Sequence, residues 1–347
     1  MRPHVLAVRL DNEGDVLLTG PAIRAIAARA RFVTLLCGPR GRAAADLLPG
    51  VDSVLEFRAP WIDPEPEPVE RTAIEALRDA LARCEIDEAI VFTSFHQSAL
   101  PTALVLRLAG IPRVSAISED YPGSLLDVRH AVPEELHEVE RACSLAAAAG
   151  YPLPHDDDAR LAVRPLPPLV PGEPYVVVHP GASVPARAWS AERHRALVTA
   201  LAEDGRRVIV TGGPDERALT ESVAGVDGVD LGGRTRLADL AVVLAGACVV
   251  VAGNTGPAHL AAAVGTPVVS LFAPTVPASR WRPWGVPHVL LGTQDIDCAG
   301  CRARVCPFDD HPCLADVDVS DVVDAVDRLA PLPRPPVLSR AALAGRA

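Results

Sequence analysis

Apolar residues recur along the chain in two patterns. Short runs that are apolar at nearly every position predict strands buried on both faces: HVLAVRL (4–10), FVTLLCG (32–38), SVLEF (53–57), EAIVFTS (88–94) and VSAIS (114–118). Between some of them, VLLTGPAIRAIAARA (16–30) and RTAIEALRDALARC (71–84) place apolar residues three and four apart and predict helices. The alternation stops at VRPLPPLVPGEP (163–174), where the prolines can continue neither a helix nor a central strand. It restarts with the strand YVVVHPGAS (175–183), the helix AERHRALVTALAEDG (191–205), the strand RVIVTGG (207–213) and the helix ERALTESVAG (216–225). VDLGG (229–233), the helix LADLAVVLAGA (237–247), the strand CVVVAG (248–253), the helix PAHLAAAVG (257–265) and the strand PVVSLFAP (267–274) complete it. Strands that alternate with helices imply parallel sheets covered on both faces. The expected organisation is α/β: an N-terminal domain over 1–165, a Pro-rich linker over 166–174, a second domain over 175–330 and a tail over 331–347. The loops of the two domains are expected to face a common cleft.

Composition narrows this picture. At 347 residues the chain exceeds one core of usual size, and 49% apolar residues suffice for two. A formal charge of −11 argues against a sequence-independent nucleic-acid binder. Lysine is absent, so all 33 basic side chains are arginines, and no single arginine can be read as specially chosen. The opening apolar run is too short for a signal peptide, and no apolar stretch reaches membrane-spanning length without Gly, Pro or charge. A cytoplasmic protein is expected.

Three stretches at strand ends carry candidate chemistry. In VVVAGNTGPAHLAAAVG (249–265), Asn254, Thr255 and Gly256 separate a strand from a helix, Pro257 suits the first helical turn, and His259 follows within it. Exposed amides and the helix dipole make such a turn an anion site. The plainer account is a capped core helix with a satisfied structural histidine. HPGASVPARAWS (179–190) offers Gly181, Ser183 and Arg187, whose forked cation suits a diphosphate. RLDNEGDVLLTGPAIRAI (9–26) sets Gly14 at a sharp turn and Asp15 at a helix start, where it is either an N-cap or a general base held at the cleft. No G-x-G-x-x-G or P-loop pattern accompanies them.

In this order the three stretches resemble the signatures of glycosyltransferase family 9, the heptosyltransferase-like enzymes; TGGPDERAL (211–219) and LADLAVVLAGA also fit in sequence. The resemblance implies a GT-B architecture of two Rossmann-like domains, with the donor held mainly by the second. It implies inverting, metal-independent transfer of a sugar, typically a heptose, from a nucleotide diphosphate, an ADP-sugar above all. The acceptor would be a glycolipid or a small molecule, and membrane contact at most peripheral, at the inner face of the plasma membrane. By position, Asp15 becomes the base that deprotonates the acceptor hydroxyl. Ser183, Thr255, Gly256 and His259 would line the diphosphate, and Arg187 stands where the family usually has lysine. Glu216 would bond the ribose, and Thr235 falls in the loop expected beside the nucleotide's base. Asn254 replaces a common aspartate, which keeps hydrogen bonding and loses a charge.

The last motif is CAGCRARVCPFDDHPC, in which Cys298, Cys301, Cys306 and Cys313 are spaced C-x2-C-x4-C-x6-C. Structural zinc, reduced thiols and local disulfides all fit this spacing, and the loop is expected to staple the rim of the cleft. A catalytic metal is not expected. FTSFHQS (92–98) ends a strand and offers polar groups for an acceptor. Two other functions share the architecture: a sugar-nucleotide epimerase, and a nucleotide-sugar-binding protein without activity, for which Asn254 is the motive.

Overall fold

The computed structural model describes residues 2–133, 135–167 and 172–332. The centre of the expected linker, 168–171, and the tail beyond Leu332 lie outside the described residues. Twelve strands form two six-stranded parallel sheets. The first contains β1 (His4–Arg9), β2 (Phe32–Cys37), β3 (Ser53–Glu56), β4 (Glu88–Val91), β5 (Arg113–Ile117) and β6 (Val128–His130), in the order β3-β2-β1-β4-β5-β6. The second contains β7 (Tyr175–His179), β8 (Arg207–Val210), β9 (Gly228–Asp230), β10 (Val249–Gly253), β11 (Val268–Leu271) and β12 (His288–Leu291), in the order β12-β11-β10-β7-β8-β9. Each sheet therefore runs outward in both directions from a central pair, β1/β4 or β7/β10. That pair is the topological switch point, where the loops part and leave a crevice.

Burial explains the strand pattern. All six residues of β1 and all five of β10 are buried, because helices cover both faces of each sheet. The short edge strands β6 and β12 are only half-buried; β6 has no apolar run and β12 only the three residues Val289–Leu291, so neither is evident in the sequence. The single helix expected over 16–30 is two, Glu13–Leu18 and Gly20–Ala27. Pro21 has no N–H to continue the ladder, and Thr19 closes the first helix while opening the second. Gly265 ends the helix Gly256–Ala263 in the left-handed region at φ 84°, where its N–H donates to Ala262 O and that of Thr266 to Ala261 O.

One buried apolar cluster runs through both halves, joining Val16 and Leu17 to Leu260 and Ala261, and helix Glu13–Leu18 packs directly on helix Gly256–Ala263. His137 adds a polar link. Its Nδ1 accepts the Val139 N–H, so Nε2 carries the proton and donates to Arg282 O at 3.0 Å, while the ring stacks on Trp284 at 4.5 Å. Burial pushes this imidazole down to about 3, so it stays neutral. No helix among the described residues is long and apolar enough to cross a membrane.

Phe272, which follows β11, is fully buried in the shared cluster. Phe272→Ala is expected to cost about 3–5 kcal/mol of unfolding free energy, measured by denaturant titration.

Candidate functional site

Four strand ends of the crevice converge on one cavity of about 280 Å³. From the first half, β1 is followed by Asp11, Asn12 and Asp15, and β4 by Ser94, His96 and Gln97. From the second half, β7 is followed by Ser183 and Arg187, and β10 by Asn254, Thr255, Gly256 and His259. Residues far apart in the chain thus meet because both sheets turn their switch points inward.

The contact between halves is made by glycines. A Cβ on Gly14 would stand 2.9 Å from His259 Cδ2 and 3.4 Å from Gly256 Cα. Any side chain there would drive the two helix starts apart. Asp15 lies within the first turn of helix Glu13–Leu18, and the N-cap is Asn12, so Asp15 is not the capping residue. Its Oδ1 accepts from Arg9 Nη2 at 3.1 Å. Arg9 is buried at the end of β1 and also donates to Ser94 Oγ at 2.8 Å. Its Nε lies 2.8 Å from Asp11 Oδ2, an ion pair at an angle unsuited to a hydrogen bond. Burial pushes Asp11 up to about 6, against the pull of Arg9.

On the facing wall the plainer capping account fails. Thr255 is the N-cap of helix Gly256–Ala263, yet its side chain makes no cap bond. Asn254 and His259 are each 4% exposed, and Asn254 Nδ2 and His259 Nδ1 have no partner in the protein. Burying such groups unpaired is costly, which makes them groups awaiting a ligand. Burial pushes His259 down to about 4, although Asp15 opposes this, so the ring is neutral. Arg187 donates from Nε to Thr275 Oγ1 at 3.1 Å and from Nη1 to Asn254 O at 3.5 Å, which fixes its guanidinium at the same wall. Backbone amides, a helix dipole, a buried imidazole and a permanent cation on one wall are groups of the kind that suit an anion.

Glu216 and Thr235 do not line this cavity. They follow β8 and β9, further out in the second sheet than β7 and β10, so the strand order itself sets them aside. Glu216 is nonetheless fixed: its Oε2 accepts the Gly213 N–H at 2.7 Å, and a Cβ on Gly181 would collide with its carboxylate. Arg9 and Asp11 were passed over in the sequence. The available signal was a charged residue closing an otherwise apolar strand.

The four clustered cysteines are free thiols, as are the other four. Cys313 is pushed up to about 11 by burial, with its three neighbours adding to the effect. Among the described residues no three His, Cys, Asp or Glu side chains are placed to hold a metal, so the structure supports neither zinc nor a disulfide here. The loop does not line the cavity but packs against residues next to it: Arg304 O accepts the Ala186 N–H, His311 Nε2 lies 2.9 Å from Ala186 O, and Arg302 stacks over Phe95 at 4.3 Å.

Two Rossmann-like halves that close glycine-lined strand ends on an anion-suited wall define the GT-B class of α/β glycosyltransferases. The chain belongs to glycosyltransferase family 9 (heptosyltransferase), whose family model matches residues 74–311. It is 33% identical over 233 residues to lipopolysaccharide heptosyltransferase 1 of Pseudomonas aeruginosa, covering 65% of this chain and 64% of that protein. It is 31% identical over 294 residues to the protein of that name in Salmonella typhimurium, covering 79% and 89%. The fold matches the structure of E. coli ADP-heptose LPS heptosyltransferase II with a TM-score of 0.74 at 19% identity, over 95% of this chain and 98% of that one. It matches E. coli heptosyltransferase WaaC with ADP-2-deoxy-2-fluoro heptose with a TM-score of 0.71 at 22% identity, over 94% and 99%. The protein is accordingly a glycosyltransferase, and the epimerase and inactive-binder readings fall away.

Gly14→Ala should cost about 1–3 kcal/mol of stability by overpacking the helix contact, measured by thermal and denaturant unfolding. A neutral result would mean that the halves close less tightly than described.

Proposed function

We propose that this protein transfers a heptose from ADP-heptose to a hydroxyl of a lipopolysaccharide-core glycolipid or a related small-molecule acceptor, with inversion and without a metal. One observation carries this reading: a carboxylate from the first half, Asp15, and the unpartnered polar groups of the second half, Asn254 Nδ2 and His259 Nδ1, line the same cavity. The names of the relatives, and the ADP-sugar in the E. coli heptosyltransferase, support the donor.

An alcohol attacks poorly until a base removes its proton. Asp15 Oδ1 is held by Arg9, which leaves Oδ2 to receive the acceptor's proton. The acceptor oxygen then bonds to the anomeric carbon as the bond from that carbon to the diphosphate oxygen breaks, and the electron pair leaves with ADP. A single displacement of this kind inverts the anomeric centre. Charge growing on the diphosphate is met by the amides at Thr255 and Gly256, by Arg187, by the Asn254 side-chain amide and by the His259 ring, so no metal is needed for it. Ser183 adds a hydroxyl to the same wall. The nucleoside would run along the second sheet toward β8 and β9, placing Glu216 at the ribose and Thr235 at the base. Such a protein works on the cytoplasmic side, in peripheral contact with the membrane where its acceptor is a lipid.

The test is release of ADP from ADP-heptose across a panel of acceptors, with the product identified by mass spectrometry. Asp15→Asn should lower kcat by about 10²–10⁴ with the donor KM little changed. Arg187→Ala should instead raise the donor KM by about 10–100-fold. An Asp15→Asn variant that transfers at the wild-type rate removes the base assignment. Turnover of a UDP- or GDP-sugar but not of ADP-heptose removes the donor assignment.

A further inference from the structure

Arg9 serves three carboxylates at once. Its Nη2 reaches Asp15 Oδ1 at 3.1 Å and Glu138 Oε2 at 3.5 Å, and its Nε faces Asp11 Oδ2 at 2.8 Å. Glu138, in the first turn of helix Glu138–Ala148, lies outside the cavity and is 1% exposed. Asp11 lines the cavity, and its other oxygen accepts from Gln97 Nε2. Further charged and titratable groups surround this cluster: Glu13 precedes Asp15 on the same helix and is raised by burial, and Arg40, Arg58 and Asp63 line the cavity from the loops after β2 and β3. Arg141 lies 4.0 Å from Glu138, His96 comes from the loop after β4, and Arg187 and His259 face Asp15 from the second half.

A full two-point arginine–carboxylate pair is strong and rigid. Asp15 instead holds Arg9 by one oxygen on a nitrogen shared with Ser94 and Glu138, and its second oxygen is left without the arginine. We propose that Asp11 and Glu138 are positioning residues for Asp15, drawing the Arg9 charge away from it so that its carboxylate stays fixed in direction yet open to the acceptor's proton. This rests on Asp15 being the base. Burial raises both flanking carboxylates, Asp11 to about 6, so one buried cation does not keep all of these acids ionised at low pH. Below that value Asp11 takes a proton, Arg9 turns more fully onto Asp15, and transfer slows.

The experiment measures kcat and KM against pH for wild type, Asp11→Asn, Glu138→Gln and Asp15→Asn. The probes are ADP-heptose and a lipopolysaccharide core truncated before its heptoses. Wild type should lose rate with a midpoint near pH 6. Asp11→Asn, a mimic of the protonated acid, should run slowly at every pH and lack that inflection. Glu138→Gln should lower kcat on the order of tenfold with the donor KM unchanged, short of the loss expected when a base is removed. A second readout needs no turnover. A carboxyl raised in the fold costs stability once it ionises, so Asp11→Asn should melt higher than wild type above about pH 6, and the advantage should fade as pH falls toward the ordinary 3.8.

An Asp11→Asn variant that keeps the wild-type inflection, a wild-type profile with no inflection near pH 6, or a melting difference that ignores pH would each overturn the proposal. An inactive Asp15→Asn beside unaltered Asp11→Asn and Glu138→Gln overturns this inference alone. A fully active Asp15→Asn overturns the functional reading on which it rests.

Discussion

The close approach of two helix starts, Glu13–Leu18 and Gly256–Ala263, is the constraint on which the rest of the site depends. Gly14 and Gly256 meet with no side chain between them, and His259 packs against the gap. This contact joins the buried clusters of the two halves and holds the carboxylate of one beside the anion-suited wall of the other. It also aims the positive start of helix Gly256–Ala263 at the cavity, opposite the carboxylates carried by the start of helix Glu13–Leu18.

The second organising feature is the repeated strand order. Each sheet reverses direction at its central pair, so the turns after β1, β4, β7 and β10 face one another while those after β8 and β9 lie to the side. A ligand with a charged middle and an extended nucleoside matches this layout, its diphosphate at the centre and its base toward the edge. The cysteine loop closes one flank through Arg302 on Phe95 and through the backbone at Ala186.

Much of this was legible in the sequence because parallel strands buried on both faces leave an unbroken apolar signature. Nine of the strands stand out as apolar runs, even the half-exposed β3; the short, half-exposed β6, β9 and β12 do not. The break at Thr19 was hidden because Pro21 is tolerated in the first turn of a helix and so does not by itself declare an end. Asp15, Arg187 and His259 stood out by residue type at strand ends. Arg9 and Asp11 did not, because their importance lies in a shared ion pair with Glu138, a residue more than a hundred positions away, and pattern along the chain carries no record of it.

The absence of lysine has a consequence for how this enzyme meets its surroundings. The wall proposed for the donor is built from backbone amides, an amide side chain, an arginine that keeps its proton, and a histidine that burial holds neutral down to about 4. Nothing on that wall changes charge across the range in which cells live. The carboxylates sit across the cleft, on the side proposed for the acceptor. On these proposed roles, acidification would leave the enzyme loaded with donor while its chemistry stalls, a standby state rather than a release.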